Sequence, residues 1–153
     1  MRVSELGEFE LIDMISKLIG KPAKDKTILG IGDDSTAWRT DTGIELATID
    51  TLVENVHFTL DTITYHELGW KSLAANVSDI AAMGGIPLYA LISLGLPGTT
   101  DVDDIKKLYE GMIELTNRHN VTIAGGDVVK APQLTISVSV TGKATDDKML
   151  TRS

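Results

Sequence analysis

Cysteine is absent from the 153-residue chain, and so are long hydrophobic runs. The lack of thiols excludes disulfide bonds, thiolate zinc sites and a cysteine nucleophile. No apolar stretch approaches the roughly 20 residues that a membrane-spanning helix needs. The first residues, Met1 to Glu5, lack the basic start and the apolar stretch of a secretory signal. We therefore expect a protein without a membrane segment, located in the cytoplasm.

Positive charge is scarce, because 14 Lys and Arg residues face 22 Asp and Glu residues and the net charge is -8. This balance argues against a nucleic-acid backbone as the main partner. An acidic composition often serves only solubility. It can also supply carboxylates for hard cations such as Mg²⁺, which prefer oxygen ligands. The length suits a single domain with one sizeable core.

The spacing of apolar residues predicts three helices and several strands. A first helix is expected over 5–18, and the capping box from Thr64 to Glu67 predicts a long helix that reaches about Met83. Another long helix should run from Thr100 to about Asn117. Strand and loop are expected over 27–40, and strands over 44–49, 88–96, 121–124 and 134–140. This order predicts an α/β (α+β) fold, in which two main helices pack on a mixed sheet.

Aspartates recur where the predicted elements end. Asp50 and Asp127 each follow a predicted strand, Asp79 lies late in the long helix, and Asp33 and Asp34 stand in a loop. Any one of them is more often a helix cap or a solvated carboxylate. Clustered carboxylates repel one another unless cations neutralise them, so the set predicts a multi-metal site if the fold brings its members together. The spacing along the chain leaves that question open.

The common phosphate-binding loops are missing. The segment that begins at Gly30 starts like a dinucleotide fingerprint but has Ser35 in place of the third glycine, and no glycine-rich run ends in Lys-Ser or Lys-Thr. Gly125 and Gly126 could offer backbone N–H groups to an anion, although a double glycine is more often a tight turn. His57 stands near Asp50 in sequence, and an isolated histidine is more often structural or exposed.

Four strings of the sequence resemble the thiamine-monophosphate kinase family: GIGDDS over 30–35, IDTLVENVHF over 49–58, GWKSLAANVSDIAAMGGIP over 69–87, and GGD over 125–127. Residues 7–12 and 150–153 are also similar to that family's pattern. The resemblance covers nearly the whole chain, and the string around His57 is its most specific part. Relatives that share the architecture include aminoimidazole ribonucleotide synthetase, selenophosphate synthetase and a hydrogenase maturation protein.

The resemblance implies a fold, an assembly and a domain arrangement. It makes residues 1–153 the N-terminal Mg-ATP-binding and dimerisation domain of the aminoimidazole ribonucleotide synthetase-like fold, which forms a homodimer through its sheet. The family's C-terminal domain, which completes each active site, has no counterpart in these residues.

The resemblance also implies a set of site residues. Magnesium ligands are expected at Asp34, Thr48, Asp50, Asp79 and Asp127, and Ile49 could contribute only its main-chain carbonyl. Nucleotide contacts are expected at Tyr109, Gly126, Asp127 and Arg152. His57 matches a substrate-contact position, and Asn55 stands where glycine is common.

The implied reaction moves the γ-phosphoryl group of ATP onto the phosphate of thiamine monophosphate. That acceptor oxygen is already ionised near neutral pH, so positioning and charge neutralisation by Mg²⁺ can carry the transfer without a protein base. Two alternatives stay open. One is another ATP enzyme of the same architecture, such as the hydrogenase maturation protein. The other is a nucleotide-binding or dimerisation module without catalytic activity.

Overall fold

A four-stranded mixed sheet organises the chain, in a computed structural model that describes residues 2–20, 27–29, 37–38, 44–145 and 150. The strands of this sheet are β3 (Glu45–Val53), β4 (Gly85–Leu96), β5 (Thr122–Lys130) and β6 (Thr135–Ala144), in the order β3-β6-β4-β5. Strands β4 and β5 are parallel, and the other two pairs are antiparallel. Two short strands, β1 (Thr27–Leu29) and β2 (Ala37–Trp38), pair separately.

The helices are α1 (Val3–Leu6), α2 (Glu8–Ile19), α3 (Tyr65–Ala82) and α4 (Val102–His119). Helix α3 packs on β3, β4 and β6, and α4 packs along α3. The core lies between these helices and one face of the sheet, where Leu46, Ile80, Ile92, Ile136 and Val140 are buried. The predicted α+β fold, with two main helices on a mixed sheet, is confirmed. No described helix is both long and apolar enough to cross a membrane.

Local signals explain where α3 and α4 begin and end. The Thr64 hydroxyl accepts a hydrogen bond from the Glu67 N–H at 3.2 Å, and the Glu67 carboxylate accepts from the Thr64 N–H at 2.9 Å. These bonds complete the predicted capping box. The bond from the Thr64 N–H, together with a second from the Thr64 hydroxyl, lowers the pKa of the Glu67 carboxyl. Helix α4 begins two residues later than predicted because Asp101 is its N-cap, and it ends at Asn120 in the left-handed conformation.

Several predicted boundaries are wrong. Strands β3 and β6 continue past their predicted ends, so Asp50 lies within β3 and does not follow it. The helix expected over 5–18 is divided by Gly7, whose φ of 86° is incompatible with a helix. Strand β5 does not end at Ala124 but continues through Gly125, Gly126 and Asp127 to Lys130. At Gly126 a Cβ atom would collide with the carbonyl of Ile92 on the parallel neighbour β4. The double glycine therefore permits a close approach of two strands and is not a turn.

Candidate functional site

A tight turn over residues 54–58, directly after β3, presents His57. The Asn55 N–H donates to the Phe58 carbonyl at 2.7 Å, and the His57 N–H donates to the Val53 carbonyl at 2.9 Å. Asn55 has a φ of 62°, the left-handed conformation that glycine and asparagine adopt most readily. This backbone requirement explains why asparagine can stand at a position where glycine is common.

The imidazole of His57 is held by the same turn. Its Nδ1 accepts a hydrogen bond from the Val53 N–H at 3.1 Å. A ring nitrogen that accepts cannot carry the ring proton, so the proton lies on Nε2. Because His57 is exposed, Nε2–H is a donor available to a ligand. The predicted substrate contact thus has a defined tautomer.

Glu54 links this turn to the start of β6, a role that the sequence analysis did not find. Its N–H donates to the Leu134 carbonyl at 3.0 Å, and its carboxylate accepts from the Leu134 N–H at 3.2 Å. The two residues lie 80 positions apart, so only the pairing of β3 with β6 brings them together. The signal in the sequence was the place of Glu54 in the string over 49–58.

Two of the predicted metal ligands are in direct contact. The Thr48 hydroxyl on β3 donates to the Asp79 carboxylate on α3 at 3.0 Å. Asp50 lies two residues further along β3 and therefore points to the same face of the sheet as Thr48. The Thr48 carbonyl accepts from the Ser139 hydroxyl at 3.0 Å, which fixes this part of β3 to β6. Hydroxyl and carboxylate oxygens meet here at the edge of the helix-covered face.

Asp127 lies apart from this pair, on β5 at the other edge of the sheet. The row of paired residues that crosses the sheet consists of Asp50, Val138, Ile92 and Gly126. Asp50 and Gly126, the two ends of this row, are three strand spacings apart, or about 14 Å. Asp127 follows Gly126 on β5 and therefore points to the opposite face of the sheet from Asp50. Within the described residues, no group of three or more His, Cys, Asp or Glu side chains could hold a metal.

The magnesium geometry limits how these carboxylates can act. Ligands of one Mg²⁺ must each place an oxygen about 2.1 Å from it. Asp50 and Asp127 of the same chain are too far apart to share an ion. If both are ligands, they bind different ions, as the expectation of several ions allows.

The remaining predicted contacts differ in what the structure says of them. Tyr109 lies on α4 and is 4% exposed, and its burial raises the pKa of its hydroxyl. It is a core residue of this chain, and its contact with a nucleotide stays a prediction. Asp34 and Arg152 lie outside the described residues, so their roles also stay predictions.

The chain is similar to several known proteins. Residues 32–144 match the family AIR synthase related protein, N-terminal domain. The thiamine-monophosphate kinase of Bacillus subtilis (strain 168) is 40% identical over 151 residues, which are 97% of this chain and 46% of that protein. The structure of AaThiL complexed with AMPPCP and TMP is 36% identical, with a TM-score of 0.65, over 94% of this chain and 44% of that chain. These matches confirm the family resemblance found in the sequence.

The hydrogenase maturation protein HypE in complex with ATP has a TM-score of 0.78 over 99% of this chain and 45% of that chain. Its identity is only 20%, so this likeness shows a shared fold alone. The chain spans less than half the length of each of these three proteins.

Proposed function

The chain belongs to the family AIR synthase related protein, N-terminal domain, and we propose that it is the Mg-ATP-binding domain of a cytoplasmic thiamine-monophosphate kinase. The whole enzyme transfers the γ-phosphoryl group of ATP to the phosphate of thiamine monophosphate. The observation that carries the proposal is the 40% identity to the Bacillus subtilis kinase over 151 residues. The AaThiL complex with AMPPCP and TMP supports the same pair of substrates.

Magnesium fits the oxygen atoms on the helix-covered face. Thr48, Asp50 and Asp79 offer one hydroxyl and two carboxylates, which are hard donors of the kind that Mg²⁺ prefers. We assign Asp34 and Asp127 to further ions, and the ion at Asp127 would lie at the other edge of the sheet. When bound, Mg²⁺ would neutralise charge between the two polyanionic substrates. The Thr48–Asp79 hydrogen bond holds one carboxylate in place before any ion arrives.

The residues around His57 suit the acceptor. The phosphate of thiamine monophosphate is ionised near neutral pH, so it needs hydrogen-bond donors and not a base. His57 offers Nε2–H, because its Nδ1 already accepts from the Val53 N–H. We therefore assign His57 to substrate binding, in agreement with the absence of a catalytic base from the set of predicted site residues.

The metal assignment is tested by replacing Asp50 or Asp79 with asparagine. Asparagine keeps the shape and one acceptor oxygen but removes the charge, so we expect Mg-ATP to bind at least about tenfold more weakly, the loss of one charge-assisted ligand. Calorimetric titration with Mg-ATP measures this. The melting temperature should change little, or rise as carboxylate repulsion is relieved.

The matched control for this titration is Asp13→Asn. Asp13 lies on α2 and pairs at the surface with Lys17, so its loss should leave Mg-ATP affinity unchanged. Unaltered affinity in both Asp50→Asn and Asp79→Asn would remove these positions from the metal site. Mg-ATP binding without phosphoryl transfer to thiamine monophosphate, even after the remaining part of a full-length relative is added, would favour the module without catalytic activity.

We also propose that the chain forms a homodimer through the face of the sheet opposite α3 and α4, which we name the open face. Ile49 on β3 and Val129 on β5 lie on it and are 68% and 49% exposed. Between them, the hydroxyl groups of Thr51 and Ser137 lie 2.8 Å apart. Exposed apolar side chains on a sheet face favour burial against a second copy.

Ile49→Asp should convert the dimer into a monomer, because it would bury a charge against an apolar surface of the second copy. Sedimentation velocity at roughly 50 µM protein measures the state, since an extensive interface persists at that concentration. Phe9→Asp is the control, because Phe9 is 82% exposed and lies on α2, which packs against α4. A monomeric parent chain would rule out this interface.

A further inference from the structure

At the end of β3, a side chain completes the last rung of the ladder, that is, the last pair of hydrogen bonds between β3 and β6. Val53 and Thr135 are the last paired residues of β3 and β6. In the next rung, the Glu54 N–H donates to the Leu134 carbonyl as a strand residue would. The Leu134 N–H donates the second hydrogen bond of this pair, and its acceptor is the Glu54 carboxylate instead of a main-chain carbonyl. The side chain thus extends the ladder by one rung at the point where the backbone turns away.

This rung matters because Leu134 is buried, with 1% of its surface exposed. A buried N–H without an acceptor costs about 1–3 kcal/mol, so the rung resists opening. The turn that follows carries Asn55 in its left-handed conformation and returns to Val53, whose N–H donates to His57 Nδ1. The anchor at Glu54 and the acceptor at His57 therefore sit at the two ends of one closed turn.

We infer that Glu54 is a positioning residue for His57: its carboxylate fixes the 54–58 turn to β6, and the fixed turn holds the imidazole as the Nε2–H tautomer. The identity of the ligand that this donor meets, thiamine monophosphate, rests on the proposed function. The positioning itself rests only on the hydrogen bonds of the chain. Glu54 touches no reacting atom and acts through the turn.

The negative charge of Glu54 also affects the hydroxyl of Tyr65. Burial raises the pKa of the Tyr65 hydroxyl, and the negative charges of Asp104 and Glu54 raise it further. The Glu54 carboxylate therefore lies within electrostatic reach of the Tyr65 side chain, and Tyr65 is the first residue of α3. The Leu134 N–H, which donates to this carboxylate, favours an acceptor oxygen at position 54.

The test compares Glu54→Ala, Glu54→Gln and Glu54→Asp by NMR of the imidazole nitrogens. Long-range ¹H–¹⁵N spectra distinguish the Nε2–H tautomer from a mixture, and His57→Ala identifies the His57 signals. The parent chain and Glu54→Gln, whose amide oxygen can still accept, should show Nε2–H. Glu54→Ala should show mixed tautomers. Amide exchange at Leu134 and Val53 should then accelerate by about tenfold, as the loss of a buried hydrogen bond implies.

Two internal controls are built into the chain. His66 and His119 lie on α3 and α4, and their signals should not respond to any change at Glu54. Glu45→Ala removes an exposed carboxylate from the opposite end of the same strand, and it should leave the His57 tautomer intact. A response to Glu45→Ala equal to that of Glu54→Ala would overturn the inference.

Each outcome at position 54 decides the question. If Glu54→Ala keeps the Nε2–H tautomer and the slow exchange at Val53, Glu54 does not position His57. If Glu54→Ala does not fold, Glu54→Asp decides, because its shorter side chain cannot span the rung: an unchanged tautomer in this variant also overturns the inference. If the tautomer responds but thiamine monophosphate shifts no His57 signal in any variant, the positioning stands and the assignment of His57 to thiamine monophosphate fails.

Discussion

Gly111→Ala is expected to destabilise the fold by about 3 kcal/mol, near the upper end of what overpacking costs. Gly111 lies where α4 crosses α3, and a Cβ atom there would collide with the main-chain carbonyl of His66. Gly69 makes the reciprocal approach from α3, against the carbonyl of Leu108. Both obstacles are backbone atoms, which cannot rotate away. The higher helix propensity of alanine returns only about 1 kcal/mol.

Chemical denaturation of Gly69→Ala, Gly111→Ala and the double variant measures this effect. The two collisions push the same pair of helices apart, so the double variant should lose less than the sum of the single losses. Glu110→Ala is the control, because this exposed neighbour on α4 gains helix propensity without entering the crossing. If Gly111→Ala were as stable as the control, the close crossing of α3 and α4 would be wrong.

The parts of the fold that local chemistry specifies were predictable from the sequence. The start of α3 follows from Thr64 and Glu67, whose side chains and backbone groups satisfy one another within one turn of helix. The two glycine positions that were misread depend on other features. Gly7 takes a φ outside the helix range, and Gly126 lies in a strand because β4 approaches it closely. Sequence pattern carries no information about that neighbour.

The candidate site divides in the same way. The hydrogen bonds of the turn over 54–58 join residues that are close in sequence. The whole turn therefore lies within the string over 49–58 that resembles the family. The contact of Thr48 with Asp79 spans 31 positions and that of Glu54 with Leu134 spans 80, so each needs the strand order and the packing of α3. The separation of Asp127 from Asp50 likewise follows from the order β3-β6-β4-β5, which the spacing of aspartates could not give.

The 153-residue chain alone is expected to form almost no thiamine diphosphate. A transferase must align donor and acceptor and exclude water from the transferring group, and this alignment contributes about 7–11 kcal/mol to catalysis. The oxygen atoms around Thr48 and Asp79 suit the donor side, whereas His57 is the single residue that we assign to the acceptor. The chain spans 46% of the Bacillus subtilis kinase, so we propose that further residues of the whole enzyme complete the site.

The measurement is thiamine diphosphate formation at saturating Mg-ATP, by the chain and by a chimaera that adds the remaining part of the Bacillus subtilis relative. The chimaera should turn over at least about a hundredfold faster, since its second domain would enclose both substrates. Asp79→Asn in the chimaera is the matched control, and it should reduce the gain, most of all at low Mg-ATP, because it removes a proposed Mg²⁺ ligand of the donor site. Robust turnover by the short chain would contradict the proposal, because it would mean that the site is complete without those further residues.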